Sequence, residues 1–381
     1  MNIPELLEGK RVCVCAGAGG VGKTTTSAVI ALGMAARGAR VAVVTIDPAR
    51  RLANALGLEE LENEPRLVAP ERLEQEGLEI RGELWAMMLD PKRTFDELID
   101  KVAPTAARAE EVKANRVYRE LSTAVSGSQE FTAVSKLYEL AREGDFDLLV
   151  LDTPPSRNAL DFFEAPGRLT SFLEGRALKA FLRPTGLGMR VIGFGAAPLL
   201  AGLRRITGID LIADLSTFFA LLGDMTENFS ARAREVETLL HAPETAFLLV
   251  TSAQSEPIDE AIWFRRTLQD GGLPFAGVVV NRFHHDLAHV AEDEDLAAEL
   301  ADLLGPRLGA KVCENWGDYH LLAARDAANL ERLENELDSE PLLLVPQLDD
   351  DVHDVSGLLR VHRYLFASDA DRARLIEDVV A

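Results

Sequence analysis

Residues 17–24 read Gly17-Ala18-Gly19-Gly20-Val21-Gly22-Lys23-Thr24, a complete G-x-x-x-x-G-K-[ST] sequence. Each residue type has a task in holding a polyphosphate. The glycines let the main chain come close. The amides of Gly19, Gly20, Val21, Gly22, Lys23 and Thr24 can then point at the anion, helped by the start of a helix. A lysine at 23 reaches the β- and γ-phosphates, and the Thr24 hydroxyl suits Mg²⁺. Thr25 is placed for the α-phosphate. Two carboxylates extend the set. Asp152 ends the run Phe146-Asp147-Leu148-Leu149-Val150-Leu151-Asp152, where a strand-end carboxylate would stand behind Mg²⁺. Asp47 follows Val41 to Ile46 in Thr45-Ile46-Asp47-Pro48-Ala49. From there it can face the γ-phosphate, beside Thr24 and Asp152, and orient a water or take its proton. The ordinary alternatives are a strand-end cap for Asp152 and an Asx turn before Pro48 for Asp47.

Such a site needs strands that end at one sheet edge. The patterning supplies candidates at Arg11–Ala16, Arg40–Ile46, Glu83–Leu89, Leu148–Asp152, Ala246–Thr251, Phe275–Asn281 and Leu342–Pro346. Several are unbroken Val/Leu/Ile runs, as in parallel strands buried on both faces. A helix from Thr24 to Arg37 follows the glycine loop, giving the strand, loop and helix that the motif requires. Strands alternating with helices predict an α/β fold, with a mainly parallel sheet flanked by helices. The chain reads as one domain over residues 1–381 with helical insertions at about 93–144 and 158–240. The second insertion is unusually apolar between Phe181 and Leu222. It reads either as a subdomain burying its own core or as a groove for a hydrophobic client.

Composition narrows the partners. The 381 residues are 47% hydrophobic, enough for a large core. Acidic side chains number 62 against 40 basic ones, a net charge of −22. That surface repels phosphate backbones, so nucleic acid is not expected as a partner. No apolar stretch reaches the roughly 18 residues of a spanning helix, and no leader-like segment opens the chain. A cytoplasmic protein with peripheral membrane contact at most is expected. Cys13 and Cys15 alternate with valines in the first strand and read as buried thiols. Cys313 stands alone. The three form neither a disulfide framework nor a CxxC zinc clasp.

The loop, Thr45-Ile46-Asp47-Pro48-Ala49 and Asp152-Thr153-Pro154-Pro155 occur in that order. With them the chain resembles the ArsA family of deviant-Walker P-loop ATPases, which includes arsenite-pump ATPases and ATPases that target tail-anchored membrane proteins. Three weaker matches extend the likeness over nearly the whole chain. Ser126-Gly127-Ser128-Gln129-Glu130 resembles the family's P-G-x-x-E helix start. Val279-Val280-Asn281-Arg282 resembles the strand whose Asn binds adenine. Val345-Pro346-Gln347-Leu348, with Asp354-Val355-Ser356-Gly357-Leu358, resembles the late adenine-side loop. The resemblance implies ATP and Mg²⁺, with Asp47 as the water-positioning aspartate of switch I and Asp152 opening switch II. It places the adenine against Asn281, Arg282, Pro346 and Leu348. It also implies a dimer, either of two copies or with a paralogous ATPase, and a hydrophobic protein client.

One departure stands out. Family members carry a second lysine where this chain has Ala18, and that lysine reaches the partner's site. A cation on the transferring phosphoryl group is worth roughly 10³ to 10⁵ in rate. Arg157, in the switch II segment, is the candidate substitute, and Arg50 and Arg51 also follow switch I. The expectation is therefore a Mg²⁺-dependent ATPase working as a dimeric switch, slow where no other cation replaces the missing lysine. The alternative is a nucleotide-holding regulatory or structural subunit with little hydrolysis, paired with a paralogous ATPase.

Overall fold

The computed structural model describes residues 1–46, 50–119, 128–154, 217–218, 220–223, 225–285 and 294–378. Asp47, Arg157, and the segments Ser126-Gly127 and 181–216 of the apolar insertion lie outside these.

Among the described residues, eight strands form one sheet. They are β1 (Val12–Ala16), β2 (Arg40–Thr45), β3 (Arg66–Leu67), β4 (Glu83–Met88), β5 (Leu148–Asp152), β6 (Thr245–Ser252), β7 (Phe275–Phe283) and β8 (Leu342–Pro346). Their order is β3-β4-β2-β5-β1-β6-β7-β8. All neighbours run parallel except β3, which pairs antiparallel with β4. The seven longer strands fall where the apolar runs place them. The two-residue edge strand β3 does not show in the pattern, because both its residues are exposed.

Every residue of β1, β5 and β6 is buried, which explains their unbroken apolar sequences. The strand order reverses at β1: the chain passes from β1 to β2 with β5 between them, then returns to β6 on the other side. A crevice opens at such a switch point, above the carboxyl ends of the strands. The glycine loop leaves β1 there.

The helix Lys23–Ala36 covers one sheet face and packs against the helix Val355–Phe366. The two approach closely at Gly33, where a Cβ would lie 2.1 Å from the Phe366 ring. Phe366 is in turn stacked on His362, with ring centroids 4.2 Å apart.

A second, smaller core lies apart from the sheet. Leu98, Ile99 and Val102 of the helix Pro91–Val102 meet Val112, Tyr118, Phe218, Leu222 and Phe229 there. So Phe218, Leu221 and Leu222, among the described residues of the apolar insertion, contribute buried side chains to a helical core. The helix Ser128–Glu143 is clipped to this layer by charge. Lys136 sits between Glu97 (3.0 Å) and Glu139 (3.2 Å), and Glu139 also pairs with Lys101. No helix among the described residues is long and apolar enough to cross a membrane.

Candidate functional site

The loop that leaves β1 ends at Gly22, whose φ of +98° makes it a left-handed cap for the helix beginning at Lys23. Two constraints require glycine there. Left-handed backbone disfavours a side chain, and a Cβ would lie 2.2 Å from Asn281 Nδ2. The Lys23 side chain is buried and folds over the loop, donating to the carbonyls of Gly17 (2.9 Å) and Ala18 (2.6 Å). Ala18 itself is only 7% exposed and belongs to the main core.

The register places Asp152 between Cys15 on β1 and Thr45 on β2. It is 1% exposed. One oxygen, Oδ2, accepts from the Thr24 hydroxyl at 2.7 Å and from the Thr45 hydroxyl at 2.8 Å. Thr153 donates its hydroxyl to the Cys15 carbonyl at 2.8 Å, which ties the chain after β5 back to β1. Hydrogen bonding of this kind fixes the Thr24 hydroxyl, so that its lone pairs face away from Asp152. A hydroxyl with a carboxylate behind it, at a helix start, is a donor set of hard oxygens that fits Mg²⁺. Thr24 would hold the ion and Asp152 would orient Thr24. Thr45 was not expected in this group. Its position at the end of β2, beside a strand that ends in aspartate, is the sequence signal that points to it.

A solvent-open cleft lies on the other side of the loop, lined by Thr25, Asn281, Arg282, Pro346, Leu348 and Val352, among others. The residues read as an adenine pocket are thus brought together, although β7, β8 and the glycine loop are far apart in sequence. Asn281 is 8% exposed and donates from Nδ2 to the Val21 carbonyl at 2.9 Å. That bond joins the cleft wall to the glycine loop. Thr25 lies at the border of the two. Gln347 of the late-loop motif also lines the cleft, with Asp350, Asp351 and Val361, which the sequence reading did not name.

The β1 cysteines meet the site through the backbone alone, where the Cys15 carbonyl accepts from Thr153. Cys13 and Cys15 are fully buried in β1, and the hydrogen bond between the thiols and their burial push the Cys13 pKa up, against ionisation. Of the candidate substitute cations, Arg50 forms an ion pair with Glu60 at 2.8 Å.

The sequence profile of the family described as "Anion-transporting ATPase" matches residues 10–295, most of the chain and all of the loop, Asp152 and Asn281. The chain belongs to this family. Among curated members, it is 27% identical over 246 residues to a protein named as arsenical pump-driving ATPase 1 of Aquifex aeolicus, covering 64% of this chain and 55% of that one. It is 27% identical over 161 residues to ATPase GET3 of Malassezia globosa, covering 42% and 43%. With ATPase get3 of Schizosaccharomyces japonicus the identity is 29% over 271 residues, covering 70% and 72%. The matches to the first two span about half the length of those relatives.

Proposed function

We propose that this chain hydrolyses ATP to ADP and phosphate with Mg²⁺. The observation that carries the reading is the convergence of Thr24 and Thr45 on one oxygen of buried Asp152, at the foot of a complete phosphate loop. Loop amides and Lys23 would hold the β- and γ-phosphates. Asn281, Pro346 and Leu348 would hold the adenine. Bound Mg²⁺ supplies charge neutralisation of the phosphates. Asp47 is assigned the water: it accepts a hydrogen bond from it, aims it at the γ-phosphorus and takes up its proton as the new bond to phosphorus forms and the bond to the β,γ-bridging oxygen breaks, releasing ADP. Arg157 is assigned the cation that Ala18 does not supply.

Kinship to arsenical-pump and GET3 ATPases supports a finer reading. In it the chain is a cytoplasmic dimeric switch, homomeric or paired with a paralogue, that couples its nucleotide state to a hydrophobic protein client. Ala18 favours a second reading, a nucleotide-holding subunit with little hydrolysis beside a paralogous ATPase.

Asp47→Asn separates the two. The active reading expects ATP affinity within about twofold of wild type and phosphate release reduced by at least about 10²-fold, the range for a positioned acid–base group. A wild-type chain that binds ATP but releases no phosphate would support the subunit reading. Unchanged turnover in Asp47→Asn would remove Asp47 from the chemistry.

A further inference from the structure

The helix Pro306–Leu337 has 32 residues, about 48 Å at 1.5 Å per residue. Its later half lies beside the helix Ser255–Asp270, where Arg332 pairs with Asp259 at 2.9 Å and Glu336 with Arg266 at 2.6 Å. Its middle crosses the carboxyl ends of two strands. Asn329 donates to the Ala253 carbonyl after β6 at 2.9 Å. Buried Asp326 accepts from the His284 backbone N–H after β7 at 3.0 Å, and the His284 ring packs on Tyr319 with centroids 5.4 Å apart. From Tyr319 back to Pro306 the helix runs about 20 Å further, past the sheet edge from which the glycine loop leaves β1. The helix Glu294–Leu304 folds back along it about Gly305, so closely that a Cβ on Gly309 would lie 2.7 Å from the Ala301 nitrogen. The two make a helical arm.

Leu303, Leu304 and Leu308 are exposed at the end of this arm, at 80%, 45% and 52%. The charges around them are sorted by helix. Glu299 and Asp302 share the face of Leu303 by their i, i+3, i+4 spacing on the first helix. Arg307 and Lys311 form an i, i+4 pair beside Leu308 on the second. All four are exposed, and among the described residues none of them is held in an ion pair. A two-fold axis between two such arms lays the acidic helix of each copy on the basic helix of the other, with the leucines between them. An anionic membrane would meet as many acids as bases at this tip and gain nothing from charge. The net charge of −22 opposes the approach of whole molecules. Physiological salt screens such repulsion beyond about 8 Å, and the arm sets its tip about 20 Å from its root at Tyr319.

We propose that this arm is an interface for a second copy of the chain. Glu299 and Asp302 of each copy face Arg307 and Lys311 of the other, around a cluster of Leu303, Leu304 and Leu308. The inference gives a surface to the homomeric form of the dimeric reading and rests on that form, not on ATP turnover.

Charge reversal tests it on the full chain, by sedimentation velocity from about 1 to 100 μM. Wild type should pass from monomer to dimer within that range. The double variants Arg307→Glu/Lys311→Glu and Glu299→Lys/Asp302→Lys each set like charges against like. Each should raise the dimerisation midpoint at least about tenfold, and so should Leu308→Ser. An equal mixture of the two reversed variants should assemble within about threefold of the wild-type midpoint, because every pair is again opposite in sign. Unchanged thermal midpoints would show that these exposed substitutions leave the fold intact. Wild type that stays monomeric throughout would overturn the proposal. So would a dimer with the same midpoint in every variant, which would place the interface on another face, or reversed variants that fail to assemble when mixed. Monomeric wild type that sediments with phosphatidylserine vesicles, and loses this in Leu308→Ser, would hand the tip to a membrane instead. Phosphate release from ATP by a monomeric wild type would overturn this inference and leave the ATPase reading standing.

Discussion

Asp152 carries two hydroxyl donors, Thr24 and Thr45, on a single buried oxygen. A carboxylate accepts both with its full charge; an amide placed there either accepts both more weakly through a neutral oxygen or turns its N–H pair toward them. Asp152→Asn should therefore turn the Thr24 hydroxyl out of its position while leaving the loop in place. We expect nucleotide affinity in the absence of Mg²⁺ to change less than threefold. The extra affinity gained on adding Mg²⁺ should fall by about tenfold or more, in line with the loss of a carboxylate behind a metal ligand. Fluorescent-nucleotide titrations with and without Mg²⁺ check this. Gly22→Ala tests the loop itself. It meets both a left-handed backbone and the Asn281 side chain, and should cost about 2–3 kcal/mol of stability, read from chemical denaturation. At this scale the sequence is most legible where chemistry demands a linear pattern. Lys23, Thr24 and the glycines announce themselves because a phosphate cradle needs consecutive amides. Thr45 does not, because its place beside Asp152 depends on strand register, which no linear spacing encodes.

The helices that carry the site are set by two different kinds of contact. One is steric: Gly33 lets the helix Lys23–Ala36 settle on Phe366 of the helix Val355–Phe366. Gly33→Ala gains helix propensity, worth about 1 kcal/mol, but inserts a methyl into the Phe366 ring. We expect overpacking to win, with a net loss of about 1–2 kcal/mol, and Phe366→Leu to restore most of it. The other contact is ionic. Glu139, 18% exposed, is shared by Lys101 and Lys136. Burial pushes its pKa up, but the hydrogen bond from Lys101 and the two ammonium charges pull it below the usual glutamate value of 4.5. A carboxyl with a depressed folded-state pKa stabilises fully above its unfolded value and loses that contribution as the pH falls through its folded one. Glu139→Gln should thus lower stability by about 1–2 kcal/mol at pH 7. The gap to wild type should close as the pH drops below about 4, measured by urea unfolding across that range. The first helix was legible because the glycine loop requires one after it, and residues 93–144 read as helical, but the helix Val355–Phe366 was not read from the sequence. Their partners were not, since Gly33 reads as a mild helix defect until Phe366, 333 residues later, is seen against it.

The whole molecule joins a buried parallel sheet to a helical layer with its own small core. Apolar strand runs made the sheet readable in sequence, since strands covered on both faces need little polar patterning. The apolar insertion was ambiguous between core and groove for the same reason: hydrophobicity says that a face is covered, not what covers it. Phe218, Leu221 and Leu222 are covered by the chain itself. Family membership and the site geometry together bear on ATP turnover, whereas Ala18 bears on its rate. A buried Ala18 also means that a lysine introduced there would have to displace packed neighbours to reach solvent or a partner. Ala18→Lys should lower stability by about 1–3 kcal/mol, visible as a lower thermal midpoint. The most direct test of the account is phosphate release from ATP by the purified chain, with and without Mg²⁺, beside Lys23→Ala. The account predicts release by wild type that requires Mg²⁺ and falls by at least about 10²-fold in Lys23→Ala. Release that is independent of Mg²⁺, or equal in wild type and Lys23→Ala, would contradict it.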